Sequence, residues 1–221
     1  MGAGAIGGYV GGLLQAAGAQ VAFVGRARTG EVLRQRGLTL TDLEGRRTVL
    51  APAAIEWLES PPADPASLTL LTVKSGATAA AARRLAPGSV VLSLQNGVDN
   101  VRIAAAAAPA LEWLAGVVGW NVAELAPGHL HRGTDGVLAA EDHPVLRAWL
   151  PLFAAAGLPL RLHADLRALQ WGKLLLNLNN PVNALSGLPL AAELRDRDCR
   201  VVLAALQQEA LAVLAGAGIA V

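Results

Sequence analysis

The sequence predicts an α/β protein: a mostly parallel sheet with helices on both faces over residues 1–164, then a partial all-α second domain over 165–221. Three observations carry this reading. A glycine-rich turn opens a helix at the amino end, short β-like runs then alternate with alanine-rich helical stretches, and after residue 165 the strand signals stop.

The turn is Gly2-Ala3-Gly4-Ala5-Ile6-Gly7, a G-x-G-x-x-G run, and behind it Ile6, Val10, Leu13 and Leu14 recur at helical spacing. In such a turn the first glycine permits the sharp bend. The second lets backbone N–H groups approach a pyrophosphate, and the third lets the helix pack close to the sheet. The helix N-terminus adds a partial positive charge. In a chain with 24 glycines the run alone is weak. Its context strengthens it, because residues 20–24 follow Gly18 where the second strand of a βαβ unit belongs. A strand ordinarily precedes such a turn, and with Met1 alone before Gly2 the expectation is either that the first strand is missing or that the sequence starts too late.

Strands are expected at 21–24, 68–73, 90–94, 116–120 and 158–163, with weaker signals near 38–40 and 49–51. Helices are expected at 6–17, 29–36, 78–85, 101–107 and 144–156. Residues 133–137 read as a turn, with 129–132 and 137–139 antiparallel around it. Beyond 165, helical spacing runs through 166–178, 191–195 and 200–215.

Composition narrows the function. A net charge of +1 gives no electrostatic argument for nucleic acid or an anionic membrane surface. The apolar runs, such as 103–111, are too short to cross a membrane and no signal peptide is visible, so a cytoplasmic protein is expected. The single cysteine, Cys199, excludes an internal disulfide, and the four histidines show no metal-ligand spacing. No metal is expected. The stretch 200–215, rich in small residues, is compatible with a homodimer.

Ligands of open α/β sheets bind beyond the carboxyl ends of strands. After the second strand comes Gly25-Arg26-Ala27-Arg28, with no acid before Glu31. An arginine at that place suits a 2′-phosphate and argues for NADP over NAD. Lys74 stands directly after an apolar strand. Gln95-Asn96-Gly97 ends another, where an amide can either close a turn or hold a ligand's polar group.

The second domain carries Trp171-Gly172-Lys173 and then Asn177, Asn179 and Asn180 before Pro181. On one continuous helix Lys173, Asn177 and Asn180 fall within about 60° of one another. Leucines fill the rest of the surface, which reads as a buried helix whose polar stripe needs partners. Pro181 removes a donor and is expected to bend the helix at the stripe.

Taken together, the glycine run, Val73-Lys74, residues 92–100 and Trp171 through Pro181 resemble the ketopantoate reductase (2-dehydropantoate 2-reductase) family. The resemblance implies an N-terminal Rossmann domain, a C-terminal helical domain and reduction of a 2-keto acid to pantoate for coenzyme A synthesis. It implies NADPH held by Gly2, Gly4, Ala5, Ile6, Gly7, Arg26, Lys74 and Asn96. It further implies Lys173 as general acid, assisted by Asn96, with Asn177, Asn180 and Asn96 on the substrate. Asn179 or Asn183 is an alternative to Asn180. The C-terminal part of the family's helical domain is expected to be missing. A reductase of another 2-keto acid and an inactive dinucleotide-binding fragment remain as alternatives.

Overall fold

Helix α1 (Ala5–Ala16) starts as soon as the glycine turn ends and carries three glycines on its inner side. A Cβ on Gly8 would fall 2.8 Å from Leu130, and one on Gly12 would fall 2.7 Å from Leu38. The helix therefore lies closer to its sheet than any side chain at those positions permits. The computed structural model describes residues 1–221, which divide into two compact units, Met1–Leu166 and Arg167–Val221.

In the first unit the chain continues through β1 (Ala22–Val24), α2 (Ala27–Arg36), β2 (Leu38–Asp42), β3 (Arg47–Leu50) and β4 (Glu56–Leu58). It then forms β5 (Thr69–Leu71), α3 (Thr78–Ala82), β6 (Val90–Ser93), α4 (Asn100–Ala107) and β7 (Glu112–Val118). The last elements are β8 (Val122–Ala126), β9 (His129–Arg132), β10 (Leu138–Glu141), α5 (Pro144–Ala155) and β11 (Leu160–His163).

The strands form three groups with the orders β1-β4, β11-β10-β7-β6-β5 and β3-β2-β9-β8. Parallel pairing runs through β5, β6 and β7, while β10 joins β7 antiparallel. The fold is Rossmann-like α/β, with helices on both sides of the sheet. Buried apolar residues weld it: Val10, Leu38, Leu40, Leu92, Leu138 and Phe153 belong to one cluster. Tyr9 meets Trp120 edge-on, with ring centroids 5.6 Å apart.

Residues 129–139 do not form the expected hairpin. Strand β9 pairs parallel with β2 and antiparallel with β8, whereas β10 pairs with β7 and β11. The intervening turn moves the chain from one sheet to another. Gly136 takes φ +156 there, and a Cβ on it would fall 2.3 Å from the Gly119 carbonyl oxygen. Two short strands, β4 and β8, carry no signal in the sequence, and β7 begins four residues before the expected 116.

The second unit holds α6 (Arg167–Asn177), α7 (Asn179–Ser186), α8 (Leu190–Glu193) and α9 (Arg197–Gly216). Asp196 caps α9 by accepting from the Asp198 and Cys199 amides, each at 2.9 Å. By length and composition α9 is the one helix apolar enough to cross a membrane. Its middle carries Gln207, Gln208 and Glu209, which a bilayer core disfavours. Glu193 is buried at 1 % exposure and accepts from the Asn183 side chain, tying α7 to α8.

Candidate functional site

The glycine turn is wedged between two strand ends. The amides of Gly2 and Ala3 donate to the Val24 carbonyl at 2.8 and 3.1 Å. From the other side the Thr72 hydroxyl donates to the Gly2 carbonyl at 2.7 Å. A Cβ on Gly2 would sit 2.6 Å from the Val73 nitrogen, and one on Gly7 would sit 2.4 Å from Thr72 Oγ1. At Gly4 a Cβ would meet nothing closer than 4.0 Å. Gly2 and Gly7 are thus required by the protein's own packing, while Gly4 leaves the face of the turn open.

That open face leads into the start of α1. Gly4 is the N-cap residue and offers no side-chain oxygen, so the first-turn amides of Ala5, Ile6 and Gly7 have no capping partner. Free amides and the helix dipole together favour an anion. This fits the phosphates of a dinucleotide.

Arg26 stands at the exit of β1 as the exposed N-cap residue of α2, with Arg28 in the first turn behind it. Cations at a helix N-terminus oppose its dipole by about 0.3–1 kcal/mol, so the position favours an anionic occupant. Trp57 of β4 sets this corner. Its indole covers Gly25 and Gly30, where a Cβ would fall 2.7 and 2.2 Å from the ring. The sequence offered no sign of this role, because β4 is only three residues long.

Lys74 and Asn96 lie at the neighbouring exits of β5 and β6, and both are exposed. A buried polar network builds this ledge. Gln95 donates to the Val73 carbonyl and to Thr78 Oγ1, both at 2.8 Å, and accepts from Ser93 Oγ at 3.0 Å. Thr78 donates to Asn100 Oδ1 at 3.2 Å, and Asn100 Nδ2 donates to the Asn96 carbonyl at 2.7 Å. Ser75 Oγ adds a second bond to that carbonyl at 3.2 Å. The Asn96 backbone is held from two sides while its side chain stays free. Gln95, Thr78 and Asn100 escaped the sequence reading because buried polar residues look like loop residues without coordinates.

In the second unit α6 stops at Asn177 and α7 starts at Asn179. Lys173 and Asn177 therefore share a helix face at i and i+4, and Asn180 belongs to the next helix. The break falls where Pro181 withholds a donor from the Asn177 carbonyl. One expectation needs correcting: α6 contains no fully buried residue, and Leu176 is 66 % exposed. Lys173 is partly buried, and desolvation holds its ammonium pKa below the ordinary lysine value. Asn180 is exposed, Asn179 Oδ1 is buried without a partner, and Asn183 is committed to Glu193 and the Leu188 carbonyl.

A glycine turn gripped by two parallel strand ends, opening an uncapped helix beside a cationic strand exit, defines a Rossmann-like protein of the nucleotide-binding type. The chain belongs to the ketopantoate reductase PanE/ApbA family, whose model matches residues 1–144. It is 31 % identical over 198 residues to a 2-dehydropantoate 2-reductase of Halobacterium salinarum, a match that covers 85 % of this chain and 63 % of that protein. A 2-dehydropantoate 2-reductase of Archaeoglobus fulgidus is 41 % identical over 107 residues, 48 % of this chain and 34 % of that one. Among solved structures, a PanE/ApbA family ketopantoate reductase from Ralstonia eutropha superposes with a TM-score of 0.86 at 31 % identity. That match covers 99 % of this chain and 74 % of the other. The chain thus matches between about a third and just under two thirds of the length of these two curated relatives.

Proposed function

We propose that the chain carries the nucleotide-binding and proton-donating machinery of an NADPH-dependent reductase that converts 2-dehydropantoate to pantoate, on the route to coenzyme A. The observation that carries this reading is the open glycine turn leading into the free amides of α1, with Arg26 and no acid at the next strand exit. Residues 1–164 act as the NADP-binding domain and 165–221 as part of the substrate domain.

When bound, NADPH supplies the hydride. Gly4 and the amides of Ala5, Ile6 and Gly7 hold its pyrophosphate, and Arg26 takes the 2′-phosphate. Lys74 adds charge at the exit of β5, and the Asn96 side chain orients both nicotinamide and substrate from its pinned backbone. Lys173 Nζ gives a proton to the substrate's ketone oxygen as negative charge gathers there. Its lowered pKa makes it a better donor near neutral pH than a solvated lysine. Asn177 and Asn180 bind the hydroxyl and carboxylate end of the substrate. The reading includes a cytoplasmic location and a homodimer formed through side chains that α9 leaves exposed, among them Val202 and Val213.

The experiment is NADPH oxidation with 2-dehydropantoate, run in parallel with NADH and with a panel of other 2-keto acids. Saturable turnover with NADPH and 2-dehydropantoate supports the reading. Turnover confined to another 2-keto acid transfers the activity to a relative's substrate. NADPH binding without turnover on any acid leaves a dinucleotide-binding protein and removes the catalytic assignment.

A further inference from the structure

Trp57 of β4 meets the exit of β1 and the first turns of α2 with a single ring. A Cβ on Gly25 would fall 2.7 Å from Cη2 and 3.1 Å from Cζ2 of the indole, and one on Gly30 would fall 2.6 Å from both Cδ1 and Cε2. The pyrrole edge thus faces α2 and the benzene edge faces the strand exit. Gly30 lies inside α2, where alanine would favour the helix by about 1 kcal/mol. The ring already fills the place a methyl group would take. Trp57 is buried at 8 % exposure and its Nε1 has no hydrogen-bond partner, so it acts here by shape alone.

Two glycines five residues apart therefore rest on one plate that has no internal rotation, and Arg26 and Arg28 lie between them. The Arg26 carbonyl accepts from the Thr29 and Gly30 amides at 2.9 and 3.3 Å, which closes the first turn of α2. On the strand side the Gly25 amide donates to the carbonyl of Leu58, the neighbour of Trp57, at 3.3 Å. Gly25 also borders the glycine turn. Its Cβ would lie 3.6 Å from the Ala3 nitrogen, which itself donates to the Val24 carbonyl at 3.1 Å. The separation of Arg26 from the open glycine turn is accordingly set by backbone bonds on one side and by the breadth of an indole on the other.

We propose that Trp57 is a positioning residue that sets the preference for a dinucleotide bearing a 2′-phosphate over one without it. The inference rests on the reading of Arg26 as the partner of that phosphate. The pyrophosphate and the 2′-phosphate are joined through one ribose, so the ligand has little freedom to adjust the span between them. An arginine whose backbone is already held at that span loses less freedom on binding, and the saving appears as affinity. A dinucleotide without the 2′-phosphate does not call on Arg26 and gains nothing from the ring.

The test is calorimetric titration of NADPH and of NADH into the full chain as wild type, Trp57→Leu, Arg26→Ala and the double variant. Trp57→Leu removes no hydrogen bond. It is expected to weaken NADPH about fivefold and to leave NADH within about twofold. In the Arg26→Ala background the same change should cost NADPH nothing further, because the group that Trp57 positions is gone. Should Trp57→Leu fail to fold, Trp57→Phe, with its smaller ring, carries the same comparison. Equal losses for NADPH and NADH, or a loss that adds in full to that of Arg26→Ala, would make the ring ordinary packing and overturn the proposal. If Arg26→Ala alone leaves NADPH unweakened, the reading of Arg26 falls and takes this inference with it, whereas a selective loss at Arg26 with equal losses at Trp57 removes this inference alone.

Discussion

The two units bury their apolar residues to very different degrees. In Met1–Leu166 the leucines of the strands are sealed, with Leu71 and Leu92 at 0 % exposure. In Arg167–Val221, Leu176, Leu185 and Val213 are 66, 89 and 66 % exposed. A unit of this size buries little surface in any arrangement, and four helices around so few inward residues give it little core. The same contrast runs through the chemistry. The first unit offers backbone amides set by glycine geometry, whereas the second offers side chains on a partly exposed helix. The proposed binding groups are built into the architecture of one unit, and the proposed proton donor rests on the conformation of the other.

The largest test of that contrast is Lys173→Ala. We expect kcat for 2-dehydropantoate reduction to fall about 10²- to 10⁴-fold while NADPH affinity, measured by fluorescence titration, stays put. An equal loss of NADPH binding would erase the division between the units. The wild-type profile should also lose activity as pH rises through the Lys173 pKa, at a lower pH than for an ordinary lysine, since the donor must carry its proton.

Packing gives the next test. Leu92→Ala should cost about 2–5 kcal/mol in urea unfolding, and Leu185→Ala should stay within about 0.5 kcal/mol. Similar losses at both positions would mean that the second unit is better enclosed in solution than its exposed leucines indicate.

Titration of the Met1 amine follows in size. Its pKa is about 6 in the folded chain against 8.0 unfolded, so between those values the unfolded state binds more protons. Stability should therefore rise by about 2 kcal/mol from pH 6 to pH 8, since a full proton of difference is worth about 1.4 kcal/mol per unit and is approached only midway between the two values. Nα-acetylation should abolish the rise in a urea series. The smallest effect is at the edge of the first unit: Arg26→Ala should weaken NADPH about tenfold and leave NADH unchanged. Equal weakening of both would deny Arg26 its 2′-phosphate role.

Local sequence announced the parts of this molecule that local physics determines. The glycine turn, α1, α5 and the buried strands β5 and β6 were legible, because their periodicity and flanking residues fix them within a dozen positions. Strand β8 was not, since four of its five residues are exposed and no alternation marks it. The partners of β9 and β10 were hidden for a different reason: parallel pairing joins residues far apart, and nothing near His129 names Thr39 as its neighbour. At the site, Arg26, Lys74 and Asn96 announced themselves by standing after apolar runs. Gln95, Thr78 and Asn100, which set the ledge, declare their roles only through their bonds. The polar stripe was drawn on one helix, and the structure divides it between α6 and α7 at Leu178.

The pairing of β2 with β9 also orders events during synthesis. Thr39 and His129 face each other across about ninety residues of chain, and α1 packs its glycines onto leucines of both strands. Until the ribosome has released β9, half of the surface that seats α1 does not exist. A nascent chain that already holds the glycine turn and β2 thus gains a firm seat for α1 only after the roughly ninety further residues to β9 have emerged. The glycine turn is firmly seated only once two strands about ninety residues apart have met.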